Sequence, residues 1–247
     1  MLAEDQTYDV SDVMINPDTR EVEAVAFDRD RVEWENLAPS IEEDFAAIAE
    51  LDEGTYGVYS RDRADKTWLV AFTKDDGPIT YYAFDRETNE GTFLFDHRSE
   101  LNSYTLAKME PFSFRARDGL EIHGYLTYPP GGGRSGLPMV LNVHGGPWAR
   151  DAWGYNSEAQ WMANRGYLCM QVNFRGSTGY GKEFVNAGDK EWGNKMHHDL
   201  VDAVAWAVEQ GAADPERIAI YGGSYGGYAA LVGATFTPDI FTCAVAT

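Results

Sequence analysis

Ser224 stands in Gly222-Gly223-Ser224-Tyr225-Gly226, a G-x-S-x-G pentapeptide with an apolar run before it and the helix-forming stretch YAALVGATF soon after. Such a pattern reads as a nucleophile elbow, in which a strained strand-to-helix turn lifts a serine hydroxyl clear of the backbone. The glycines are needed because a Cβ at those positions would strike neighbouring backbone. Chance alone supplies roughly 0.1 to 0.2 such matches in a chain of this length, so the flanking elements decide the reading. A second segment, Val143-His144-Gly145-Gly146-Pro147, also follows an apolar run. Its glycine amides suit an oxyanion hole, where N–H donors face charge that appears only in a tetrahedral intermediate. The expected donors are the backbone N–H groups of Gly146 and Tyr225, while His144 is expected to shape its loop by hydrogen bonding. Neither G-x-x-x-x-G-K-[ST] nor G-x-G-x-x-G occurs, and Pro147 interrupts a glycine-to-helix transition, so acyl transfer is favoured over nucleotide chemistry.

A serine hydroxyl is a weak nucleophile at neutral pH and needs an imidazole to take its proton, with a carboxylate orienting that imidazole. After an elbow of this kind the acid and then the histidine follow in sequence. The 23 residues after Ser224 contain Asp239 and no histidine; His97, His123, His144, His197 and His198 all precede it. The expectation is therefore a piece of a longer hydrolase that keeps the nucleophile and oxyanion half of the site and by itself lacks normal turnover.

The elements that must hold these residues read as α/β. Three buried-type runs, MVLNVH, YLCMQVNF and RIAIYG, alternate with helical stretches. This pattern indicates a mostly parallel sheet covered on both faces. One helical stretch, KMHHDLVDAVAWAVEQG, spaces Leu200, Val204 and Val208 by fours and stops at Gly211. Ahead of these runs, FSFRARDGLEIHGYLTYP alternates about Asp118-Gly119, a hairpin signal, and PGGGRSG is a loop.

Residues 1–110 carry a different pattern. Residues 21–37 and 68–95 are short aromatic and β-branched runs broken by turn signals, and AVAF at 24–27 recurs as LVAF at 69–72, 45 residues on. The spacing suits a four-stranded propeller blade, and another antiparallel sheet fits it as well. Between them, SIEEDFAAIAELDEG predicts a short helix with a capping box at Ser40 and Glu43, burying Ile41, Phe45 and Ile48.

The net charge of −20 repels phosphates and argues against adventitious nucleic-acid binding. Residues 1–110 hold 27 acidic and 10 basic side chains, and residues 111–247 hold 13 and 10, so composition sets a boundary near Pro111. Cys169 and Cys243 sit in apolar stretches and are expected as buried reduced thiols. His197 and His198 are neighbours on a helix and point about 100° apart, so no metal is expected. No run approaches the roughly 18 apolar residues of a membrane span and no signal peptide is visible, which points to a cytoplasmic protein without membrane partners.

Taken together, HGGPWARD, NFRGSTGYG and GGSYGGY resemble the prolyl oligopeptidase family of serine peptidases, most nearly its acylaminoacyl-peptidase and dipeptidyl-peptidase-like branches. The resemblance covers residues 111–247 and implies an α/β-hydrolase domain, incomplete at its C-terminus. It also implies that residues 1–110 are the last blades of an antiparallel β-propeller, that the substrate is a short peptide and that no cofactor is used. Residue by residue, it makes Ser224 the nucleophile and Gly146 and Tyr225 the amide donors, and it sets Arg175 in a loop near the site, where an ion pair is expected to hold it. Other branches carry a tyrosine near the position of His144, and its absence favours the acylaminoacyl-peptidase branch. A carboxylesterase or lipase-like hydrolase and a non-catalytic binding module are the competing readings. An apolar strand at an open sheet edge further predicts self-association.

Overall fold

The computed structural model describes residues 1–247, which divide into two compact units, Met1–Thr105 and Leu106–Thr247. In the first unit β1 (Val10–Ile15), β2 (Val22–Asp28) and β3 (Val32–Asn36) form an antiparallel three-stranded sheet. A single 3-10 turn leads into α1 (Glu42–Ala49). There follow β4 (Thr55–Arg61), β5 (Thr67–Thr73), β6 (Ile79–Asp85) and β7 (Glu90–His97), four antiparallel strands in sequence order.

One core joins these elements. Trp68, Val70 and Phe72 from β5, Phe84 from β6, Met14 and Ala24 from the first sheet, and Ile41, Phe45 and Ile48 from the helical segment are all buried together. Trp68 lies between the guanidinium groups of Arg61 and Arg86, 4.6 and 4.5 Å from its ring centre. Both cations are neutralised: Arg61 by Glu23 at 2.7 Å, and Arg86 by Asp44 and Asp65, each at 2.7 Å. The expected buried face of α1 is therefore present, but its expected cap is not. The helix begins at Glu42 with Ile41 as N-cap and no side-chain capping bond, because the 3-10 turn at Pro39–Ile41 draws Ser40 into the preceding turn.

The second unit opens with β8 (Met109–Arg115) and β9 (Glu121–Thr127), an antiparallel hairpin about Asp118 and Gly119. It continues with β10 (Leu137–Val143), α2 (Ser157–Asn164), β11 (Leu168–Asn173), α3 (Gly181–Asn186), α4 (Lys195–Glu209), β12 (Ala213–Gly222), α5 (Tyr225–Phe236) and β13 (Cys243–Ala246). The six strands stand in the order β13-β12-β10-β11-β9-β8, parallel from β13 to β11 and antiparallel across β9 and β8. Charge composition placed a boundary at 110/111, inside β8; backbone pairing keeps the strand whole, and the compact unit starts at Leu106.

Helices lie on both faces of this sheet, though unequally. On one face α4 and α5 cover β12, and α5 also meets β10 and β13. On the other, α2 packs Ala159 and Met162 against Val140 and Cys169, while Ala219 and Tyr221 of β12 are only partly covered. An open groove of about 630 Å³ runs there, lined by Trp161, Met162, Tyr167, Ala219, Cys243 and Val245. The expectation of full cover on both faces thus fails over β12 and β13. For the same reason Cys243, expected to be buried, is exposed on the edge strand, whereas Cys169 on β11 is buried. No helix of the chain is long and apolar enough to cross a membrane.

Candidate active site

The end of β12 turns into α5 through Ser224, whose backbone has φ 55° and ψ −118°. A non-glycine residue at positive φ costs on the order of 1–3 kcal/mol and persists only where its surroundings over-determine it. Here they do. Ser224 N–H donates to Thr247 O at 3.0 Å, Thr247 N–H to Gly222 O at 3.0 Å, and Gly226 N–H to Gly223 O at 2.8 Å. Beneath the turn the end of β10 comes so close that a Cβ on Gly226 would lie 2.0 Å from Val143 O, and one on Gly222 would lie 2.6 Å from the same atom. The hydroxyl of Ser224 is exposed and makes no capping bond to its own helix.

The segment after β10 lies beside this turn. A Cβ on Gly145 would sit 3.4 Å from Ser224 Cβ and 3.9 Å from Ser224 Oγ. Gly146, at φ 125°, is exposed, and a Cβ there would meet Trp148 N at 2.7 Å, so only glycine fits the bend. Tyr225 is the first residue of α5; its amide has no acceptor one turn back and lies at the positive end of the helix dipole. Its ring is buried against Phe174, Trp192 and Tyr228, and burial pushes its hydroxyl well above the usual tyrosine range.

His144 stacks on Phe174, with ring centres 4.5 Å apart and planes 15° apart. Its Nδ1 lies 2.7 Å from Gly145 O, which can only accept, so Nδ1 is a donor. Its Nε2 is 3.1 Å from Ser177 Oγ. Both nitrogens lie within hydrogen-bonding distance of loop groups, and neither is hydrogen-bonded to Ser224.

Arg175 is 3% exposed and forms a buried ion-pair network. Three donors, its backbone N–H, Nε and an Nη, reach Asp199 of α4 at 2.7–2.9 Å, and the guanidinium also holds both oxygens of Asp118 at 2.8 and 2.9 Å. The guanidinium holds the Asp118 carboxyl down to about 2. Asp199 is wholly buried, and the donors of Arg175 oppose the upward push of that burial. The pair is charge-assisted and ionised, and it ties the segment after β11 to α4 and to the β8–β9 turn.

No imidazole is hydrogen-bonded to Ser224. His197 meets Thr237 at 3.0 Å, and Asp239 is exposed in the turn beyond α5. Both therefore lie at the far end of a 12-residue helix, which spans roughly 18 Å at 1.5 Å per residue. Asp239 is in no position to orient a base for Ser224. What the geometry brings together is an exposed strained serine, a helix N-terminal amide and a glycine segment against it, a combination able to attack a carbonyl and receive the resulting oxyanion. Asp118 stands in the hairpin turn, and Asp151, Asn173 and Ser177 fall within HGGPWARD and NFRGSTGYG, but nothing in the sequence shows that these residues and Asp199 brace the site through their side chains.

Residues 153–247 match the prolyl oligopeptidase family of peptidases. The chain is 45% identical to dipeptidyl aminopeptidase BIII of Pseudoxanthomonas mexicana, over 99% of this chain and 37% of that protein. It is 38% identical to dipeptidyl peptidase family member 6 of Caenorhabditis elegans, over 97% of this chain and 35% of that protein. In fold it resembles an acylaminoacyl peptidase from Pyrococcus horikoshii, with a TM-score of 0.65 at 24% identity over 90% of this chain and 34% of that one. The chain spans a little over a third of the length of these curated relatives.

Proposed function

Since this chain belongs to the prolyl oligopeptidase family, we propose that Ser224 is the nucleophile of a serine-type peptidase acting on short peptides through an acyl-enzyme. In this reading the Gly146 and Tyr225 amides receive the oxyanion of each tetrahedral intermediate. The observation that carries it is the exposed Ser224 hydroxyl on a positive-φ turn at the head of α5, with Gly145 packed against it. The relatives named dipeptidyl aminopeptidase and dipeptidyl peptidase support a peptide substrate. Residues 111–247 would be part of the α/β-hydrolase domain. Residues 1–110 would be the last propeller blades, a reading supported by β4–β7, a four-stranded meander of blade size.

Because no imidazole reaches Ser224, the general base and its carboxylate would come from sequence outside these residues. The chain alone would then hold a nucleophile that is oriented but not activated. Labelling with a fluorophosphonate tests this. The whole protein should label rapidly and cleave peptide amides, and Ser224→Ala should abolish labelling and lower kcat by at least about 10³-fold. The isolated chain should label only slowly. Rapid, saturable labelling of the isolated chain at Ser224 would overturn the division of the site, and turnover confined to simple esters would favour an esterase.

A further inference from the structure

Asp151 closes the segment that starts at His144. Its N–H donates to Asn173 Oδ1 at 2.7 Å, and its carbonyl accepts from Asn173 Nδ2 at 2.9 Å. Its side chain receives Gln171 Nε2 on Oδ1 at 2.6 Å. Asn173 and Gln171 project from β11 on one face, two residues apart, and both are buried. Two buried atoms of this group are left without a hydrogen-bond partner: Asp151 Oδ2 and Gln171 Oε1. With Asp151 ionised both are acceptors, and two acceptors on paired planar groups have nothing to exchange. One proton on Oδ2 removes the mismatch, because the O–H can donate to Gln171 Oε1 while Gln171 Nε2 donates to Oδ1.

We propose that Asp151 is held as a neutral carboxylic acid in a reciprocal two-hydrogen-bond ring with Gln171, and that this ring is a positioning device for residues 144–151. The role for the oxyanion rests on the proposed function of Gly146; the ring itself does not. The proton comes from solvent as the chain folds, and no other group changes charge.

The surroundings agree with this state. Burial is the largest influence and pushes the Asp151 carboxyl up, assisted by Glu158 and opposed by His144, by the hydrogen bond from Gln171 and by Arg150. Arg150 lies over the Tyr180 ring and donates to its hydroxyl, and His123 stacks on the same ring. Glu158, at the exposed end of α2, has donors of its own in Asn142 Nδ2 and Tyr221 OH. Cys169, the next residue of β11 on this face, has its thiol pushed up by burial and by both acids, so it stays neutral beside them. An ionised Asp151 would keep one side-chain hydrogen bond for a buried charge.

An acid whose folded value is raised binds more protons folded than unfolded, so its stabilisation is lost as pH rises from the ordinary carboxylate range through the raised value. Above that value Oδ2 and Oε1 are two acceptors without donors, and the side-chain anchor of residues 144–151 is weakened to one bond.

The test uses the full 247-residue chain and two readouts independent of catalysis. Carbon-13 NMR of the Asp151 Cγ should show no titration near the ordinary value of about 4 and a protonated shift at pH 6. Asp151→Asn, which can form the same ring as an amide pair, should keep amide-exchange protection of residues 144–151 within about twofold of the parent at pH 6, and should remove its decline at higher pH. Asp151→Leu should speed exchange there by about tenfold or more. A Cγ that titrates near the ordinary value, as with a bridging water or a bound cation, overturns the proposal, and so does an Asn variant that exchanges as fast as the Leu variant. Should the Leu variant not fold, the Cγ titration of the parent decides. If the ring is found but labelling of Ser224 fails in the whole protein, the functional reading falls and the ring stands.

Discussion

Gly226 and Arg175 mark two ways in which single residues determine the site. Gly226 is needed for what it lacks, since any Cβ would fall 2.0 Å from a backbone oxygen that cannot move without displacing β10. Gly226→Ala is expected to cost about 3 kcal/mol or more in urea unfolding, an overpacking penalty at the upper end of its range. Arg175 is needed for what it cancels, because Asp199 is wholly buried and without Arg175 would be an uncompensated charge. Arg175→Ala should destabilise the chain by about 3–5 kcal/mol, and Arg175→Lys should restore little of it because an ammonium cannot match the two-sided hydrogen bonding. Urea midpoints at neutral pH check both. Gly226 was legible as part of a spaced pattern. The partners of Arg175 were not, since Asp118 and Asp199 lie 57 and 24 residues from it in sequence.

At the scale of elements, α4 and α5 are linked by a histidine that burial keeps neutral. His197 is 4% exposed, its Nε2 lies 3.0 Å from Thr237 Oγ1, and its value is lowered to about 4 by burial and then by His198 and Arg117. Thr237 Oγ1 already donates to Gly233 O, so Nε2 is the donor and Nδ1 is the unprotonated nitrogen. A base lowered on folding contributes stability that is fully present above its unfolded value of 6.5 and is lost as pH falls toward 4. A loss of up to about 3 kcal/mol is expected over that window. His197→Gln, which retains a donor for Thr237, should flatten this acid limb in thermal melts at matched ionic strength. Strand position governs the two thiols in the same way. Cys243 on the edge should react with a maleimide in the native state, while Cys169, buried on β11, should react only on unfolding. Equal native reactivity of the two would contradict the burial difference. The sequence could not separate them, because both lie in apolar runs and only strand order says which run has cover.

For the molecule as a whole, the acidic bias works against association and the bare side of β12–β13 works for it. All four residues of β13 are exposed, and the groove of about 630 Å³ beside it is lined mainly by apolar side chains. An unpaired edge next to uncovered apolar surface is a template for pairing, and a lysine on such an edge blunts it. The isolated chain should therefore elute in size-exclusion chromatography as species larger than 27.5 kDa, shifting toward monomer in Val245→Lys. A parent chain that runs as a monomer at micromolar concentration would contradict this. The order of α/β runs was readable from hydrophobic patterning, because strands buried on both faces are continuous and apolar. The unequal cover of the two faces was not, since it depends on which helix crosses to which side.

The features legible along the chain are local: a serine in a glycine frame, a second glycine segment, runs of strand and helix in alternating order, and no histidine after the serine. These are properties of residue type and spacing, and short-range sterics enforce them wherever the chain folds. Packing in three dimensions sets which charges meet, which thiol is covered and which acid is buried beside an amide. Electrostatic and burial effects depend on distance in space, and Asp151 beside Gln171, Arg175 between Asp118 and Asp199, and His197 against Thr237 are 20, 57 and 24, and 40 residues apart along the chain.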